Sequence, residues 1–168
     1  DICAGFDPED QVTAEQIKHI PNSYTSFLKV DGLRHKRLGL LQNIWKKDTE
    51  VDEVMEESIR LLRENGVDVL PVDVPEFEMS RLSNDCDVQH YEFQEQVDMY
   101  LAKNPDCPVP NFKFLADSGK LYPAISDFIK KCSEITNPSE LEGYKNKLLN
   151  IVRNKRIAYY VMAKHKLD

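Results

Sequence analysis

Glycine is scarce in this sequence: six in 168 residues, none adjacent, and none in the GxGxxG or GxxxxGK spacing that lets a backbone cradle phosphate. No GxSxG turn exposes a serine nucleophile, and no HExxH offers a helical zinc site. The four cysteines, Cys3, Cys86, Cys107 and Cys132, form no CxxC pair and no Cys/His quartet with zinc spacing. A chain of this length needs no staples to fold, so free and mostly buried thiols are expected ahead of two disulfides. No apolar run approaches the roughly 20 residues of a membrane-spanning helix, and no secretory leader is visible. The compartment stays open, with the cytoplasm slightly favoured. Basic charge is also in deficit, 22 Lys plus Arg against 29 Asp plus Glu for a net charge of −7. That balance argues against nucleic acid as a partner, because phosphate contacts need clustered cations.

What is present is organised in two parts. Residues 1–30 are polar and irregular, with a short helix expected over Thr13–Ile20, Thr13 as its cap and Pro21 as its stop. Residues 37–42 (RLGLLQ) read as a short buried strand. Asp48 or Thr49 then caps a helix whose apolar positions Val51, Val54, Met55, Ile59 and Leu62 follow the 3.6-residue period, with Gly66 as its end. Residues 67–74 (VDVLPVDV) follow as a second strand, in which Pro71 removes a ladder donor and predicts an edge or a bulge. Strand, helix, strand is a βαβ unit with two parallel strands. Such a pair must be covered on both faces, and the sequence offers no third strand, so part of the sheet is missing.

The remainder is helical. One helix is expected from Ser83 or Asn84 to about Lys103, and two short ones over 111–118 and 123–133, separated by Gly119. A long helix starts near Pro138 and ends near His165. Residues 76–106 carry a net charge of −6 and residues 139–168 a net charge of +4, so the two segments should attract, although solvated faces are the plainer reading. Cys86 and His90 would share a helical face at i, i+4, but a soft-ligand site needs two more ligands that the sequence does not place, so no metal and no cofactor are expected. Phe112 and Phe114 beside Leu115 could face lipid. The acidic residues before them favour internal packing, and a membrane partner is not expected. Trp45 reads as core or pocket wall.

The order of elements resembles that of a known family. Residues 1–13 (DICAGFDPEDQVT) look like the segment that follows the catalytic core of amidase signature hydrolases, "DP.D..T". Residues 33–41 (LRHKRLGLL) are similar to the family's "L.G.RIGVL" strand, and Asp48 to Val74 to its next helix and strand. Tyr91-Glu92-Phe93 with Tyr100-Leu101 resembles "YEF…L..YL", and residues 118–123 (SGKLYP) resemble "SGKYHP". Residues 162–168 (MAKHKLD) are similar to the helix end leading into "DALV.PT".

The resemblance implies hydrolysis of carboxylic amide C–N bonds by a Ser–cis-Ser–Lys triad. It also implies that the triad lies in a Gly/Ser-rich region upstream, because nothing here matches that region. Ser23, Ser26, Ser58 and Ser80 have no glycine neighbours, and Lys29, Lys46 and Lys47 sit in unrelated contexts. No catalytic residue is carried over, and no activity is expected of residues 1–168 alone. In relatives, segments like 76–135 shape the substrate entrance. The resemblance therefore makes Val88, Tyr91 and Phe93 pocket-wall candidates, with plain helix packing as the alternative.

The fold expected is α/β: one βαβ unit, part of a larger mixed sheet, within residues 1–75, followed by a mainly helical substrate lobe over 76–168. The chain begins with Asp1 rather than Met, which fits an internal or processed segment. Its partner would be the remainder of an amidase polypeptide or a second copy, with a small amide substrate if the whole is active. Two rivals stand beside this reading: a non-catalytic binding or structural protein derived from a degenerate amidase, and an independent small α/β module.

Overall fold

The structure is a computed structural model that describes residues 4–44 and 48–168. Cys3, Trp45, Lys46 and Lys47 lie outside the described residues. The architecture is mixed α/β, with two parallel strands and six α-helices among the described residues. None of these helices is long and apolar enough to cross a membrane. The chain divides into two compact units: of the described residues, 4–40, 48–71 and 167–168 form the first, and 41–44 with 72–166 the second.

The first unit carries the βαβ element, except for the last residue of each strand. Strand β1 (Arg37–Leu41) pairs with β2 (Asp68–Val72), and helix α1 (Thr49–Glu64) connects them. Asp48 starts α1 by accepting the N–H groups of Glu50 and Val51 at 3.1 and 3.2 Å, which satisfies two of the four orphan donors of a helix start. Glu50 and Asp52 in the first turn and Arg63 in the last complement the helix dipole. Gly66 ends the helix with φ +82°, a left-handed conformation that side chains resist, and its carbonyl accepts the N–H of His35 at 2.9 Å. Ile59 and Val67 are buried in this unit, whereas Val51, Val54 and Met55 are exposed. Among the described residues, much of the apolar stripe that shaped α1 is therefore left partly open to solvent.

Upstream, the short helix takes a different form from the one the pattern predicts. It is a 3-10 helix over Gln11–Gln16, and Asp10, not Thr13, caps it by accepting the Val12 N–H. Thr13 instead ties a turn: its hydroxyl donates to the carbonyl of Asp10 at 2.6 Å and accepts the N–H of Asp7 at 2.8 Å. A threonine with those local partners gains little by capping.

The second unit is helical: α2 (Met79–Cys86), α3 (Gln89–Ala102), α4 (Phe112–Asp117), α5 (Pro123–Ser133) and α6 (Glu142–His165). The helix expected from Ser83 or Asn84 to Lys103 is two helices. Glu78 begins α2 early by accepting the Arg81 N–H at 3.1 Å. Asp87 leaves the helical region at ψ 112° and accepts the N–H of Gln89 at 2.9 Å, an Asx turn that competes with helix continuation. The carbonyls this break frees at the end of α2 are taken by α6. Lys147 donates to Asn84, Asn150 donates to Asp85 at 3.2 Å, and Asn154 donates to the Cys86 sulfur at 3.2 Å. These three donors recur at i, i+3 and i+7 on one face of α6. Pro138 opens a 3-10 turn rather than α6 itself, which begins after Leu141 takes an extended conformation.

The core of this unit is Phe112, Ile129 and Cys132, with Phe93, Val97, Ala116, Leu121 and Phe128 packed against it. Phe112 and Cys132 are fully enclosed. Asp98 on α3 accepts the Phe112 N–H at 2.6 Å, and Asn111 accepts the Phe114 N–H at 2.8 Å, so the start of α4 is capped from two sides. Phe112 thus turns inward while Phe114 is half exposed, which divides the pair considered as a possible lipid-facing patch. Helix α6 contributes no fully buried residue, and Leu148, Leu149, Ile151, Val152, Tyr159 and Tyr160 lie exposed along it.

Candidate functional site

Helix α3 supports two concave surfaces in the second unit, one on each side. Tyr91 faces one side. Its ring packs on Tyr144 with centroids 5.3 Å apart, and a Cβ placed on Gly143 would come within 2.8 Å of its hydroxyl. Gly143 is therefore where the chain can pass that close to Tyr91. The concavity beside it is about 560 Å³ and is lined with charge of both signs, among others Asp87, Lys131, Glu134 and Lys147, together with His90. Val88 is the last residue before α3 and is half-buried.

Phe93 faces the other side. It meets Phe128 edge to face at 5.0 Å and Phe112 edge to face at 5.9 Å, which ties it to the core. His90 lies on Phe128 from the Tyr91 side, with ring centroids 4.9 Å apart. Over Phe93 and Phe128 opens a groove of about 420 Å³, lined also by Gln89, Glu92 and Gln96. The α3 residues 89, 92, 93 and 96 fall at i, i+3, i+4 and i+7 and form one stripe. Glu92 accepts a hydrogen bond from the Tyr144 hydroxyl at 2.8 Å, and this bond raises the phenol above its ordinary pKa.

Of the three pocket-wall candidates, Tyr91 and Phe93 thus line different concavities, and Val88 lines neither. Glu92 stands out in the sequence only as part of Tyr91-Glu92-Phe93, and Phe128, Gln89 and Gln96 belong to no motif there. Two glutamines in a stripe hide it from a search for apolar periodicity, although the i, i+3, i+4, i+7 spacing is legible once Phe93 is chosen as its centre.

In the first unit, a third concavity of about 430 Å³ brings Lys29 and Ser58 to a shared wall. Ser58 donates a hydrogen bond to the Val54 carbonyl at 2.8 Å, so it is engaged with its own helix rather than with a base. Ser26 donates to the Ser23 carbonyl at 2.6 Å, and Ser80 to the carboxylate of Glu78. Cys86, Cys107 and Cys132 are free thiols. Cys86 ends α2 and His90 lies in α3, so they do not share a helix face. Among the described residues no cluster of three His, Cys, Asp or Glu side chains could hold a metal ion.

No protein-family profile matches this chain, and no curated protein matches its sequence. Solved structures do match in fold. The native peptide amidase from Stenotrophomonas maltophilia superposes with a TM-score of 0.72 at 23% identity, over 98% of this chain and 35% of that one. A peptide amidase captured with the competitive inhibitor chymostatin gives a TM-score of 0.71 at 23% identity, over 98% of this chain and 35% of its own. The protein PAM12A gives a TM-score of 0.71, again at 23% identity, over 98% of this chain and 34% of its own. The chain therefore has the fold of about one third of these proteins.

Proposed function

We propose that this chain is a segment of an amidase-type hydrolase, supplying one βαβ unit and the helical lobe that borders the substrate entrance. The observation that carries this reading is the fold likeness to peptide amidase along 98% of the chain. Uncovered surfaces support it. Among the described residues each strand has only the other as a strand neighbour, its outer edge met only by Asp168 at Arg37 of β1 and by Arg63 at the Val69 carbonyl of β2, and α1 and α6 each present an apolar face to solvent. In this reading the whole protein hydrolyses carboxylic amide C–N bonds. Its serines and lysine of catalysis belong to polypeptide other than residues 1–168, and Tyr91 and Phe93 stand near the substrate entrance.

The test is recovery of the natural product with an antibody raised against residues 1–168. A polypeptide of about three times 19.5 kDa that releases ammonia from peptide amides is the expected result. Pure 1–168 should show no turnover. Hydrolysis by 1–168 alone, or a natural product of 19.5 kDa without amidase activity in any complex, would overturn the reading.

A further inference from the structure

The groove over Phe93 and Phe128 has a chemistry of its own. Its floor is two phenyl rings locked edge to face, and its volume of about 420 Å³ falls within the range of small-ligand sites. The ring positions are not free to collapse, because Phe93 is braced by Phe112 and Phe128 by His90. Among the five described residues that line it, Glu92 is the one charged group, and no cation lines it. One carboxylate oxygen of Glu92 holds the Tyr144 hydroxyl, which fixes the side chain's direction. Among the described residues nothing bonds its second oxygen. Gln89 and Gln96, one turn to either side, offer carboxamides that can both donate and accept.

A neutral apolar ligand would gain from the rings but would place its body against a carboxylate left without a counter-charge. An anion would be repelled by Glu92. A cation on an apolar stem satisfies both halves: the stem lies on the phenyl floor, and the charge meets both the carboxylate and the negative ring face. We propose that this groove binds a guanidinium or ammonium group on an aliphatic stem, the chemistry of an arginine or lysine side chain. The carboxamides of Gln89 and Gln96 would take the polar backbone that carries it. The inference concerns binding by this chain alone and does not depend on amide hydrolysis.

Three probes isolate the charge on the 168-residue chain followed by NMR: N-acetyl-arginine amide, N-acetyl-norleucine amide and N-acetyl-glutamate amide. The arginine probe should shift the Phe93 and Phe128 ring signals and bind about tenfold more tightly than norleucine, with the preference shrinking as salt is raised. The glutamate probe should not bind. Glu92→Gln keeps an acceptor for Tyr144 and should bring arginine and norleucine to within about twofold of each other. Gln96→Glu adds a second carboxylate at an exposed position and should tighten arginine binding by about threefold. Equal affinity for arginine and norleucine, discrimination that survives Glu92→Gln, or ring signals unmoved by any probe would each overturn the assignment. Should Glu92→Gln fail to fold, the gain in Gln96→Glu decides: no tightening there overturns it too.

Discussion

Asp168 and Arg37 are bonded reciprocally. The Arg37 N–H donates to a carboxylate oxygen of Asp168 at 2.8 Å, and the Asp168 N–H donates to the Arg37 carbonyl at 3.0 Å. The other carboxylate oxygen accepts from Lys36 Nζ at 2.8 Å. The residues that open β1 and the last residue of the chain, 131 positions away, thus form one clasp within the first unit. The Lys36 ammonium and the Arg37 N–H hold the Asp168 carboxyl below the usual carboxylate range. A depressed carboxylate contributes its stability above its unfolded pKa of about 3.9, and loses it as pH falls through the lower folded value. Carbon-detected NMR titration should therefore give Asp168 a midpoint below 3.9, and Lys36→Met should move it back toward that value. An unshifted midpoint in the unmodified chain would remove the clasp.

Cys132 is enclosed among Phe112 and Ile129, and burial pushes its thiol pKa up, since a thiolate there would be desolvated. Cys86 and Cys107 are only half-buried. Alkylation mapped by mass spectrometry should therefore label Cys107 and Cys86 well before Cys132, which should react only as the chain unfolds. Labelling of all three at one rate in native buffer would contradict the enclosed position.

The βαβ unit was legible because its signals are local: an aspartate cap before Thr49, a 3.6-residue stripe, a glycine after Asn65. Helix α5 was equally plain, bounded by Pro123 and by Ser133. The break between α2 and α3 was not, because its cause is partly non-local. Asp87 can cap locally, but donors from α6, more than 60 residues away, take the carbonyls that a continuous helix would have satisfied internally. The candidate site was half legible for a related reason. Phe93 carries a sequence signal, while Phe128 comes to it only through the packing of α5 on α3.

Phe112 is fully buried, touches Phe93, and begins α4 under the cap from Asp98. Phe112→Ala should cost about 3–5 kcal/mol, because it opens a cavity that fixed helices cannot close. Phe112→Leu should cost less, since more of the volume stays filled. Urea unfolding of the chain would read both, and a cost below about 1 kcal/mol for the alanine variant would show that Phe112 is not the core residue described.

The donors Lys147, Asn150 and Asn154 distinguish a specific α2–α6 interface from charge attraction between an acidic and a basic segment. Asn150 and Asn154 are neutral, and their bonds go to the Asp85 carbonyl and the Cys86 sulfur. Screening by salt would weaken attraction between exposed charges but leave these bonds nearly untouched. Asn150→Ala should therefore destabilise the chain by about 1 kcal/mol, the usual cost of removing one hydrogen bond to a helix-end carbonyl, and by the same amount at low and high salt. Asn154→Ala should cost less, because sulfur is a poor acceptor. If raising the salt abolished the cost of Asn150→Ala, the helices would be held by their net charges, and the three-donor ladder would be incidental.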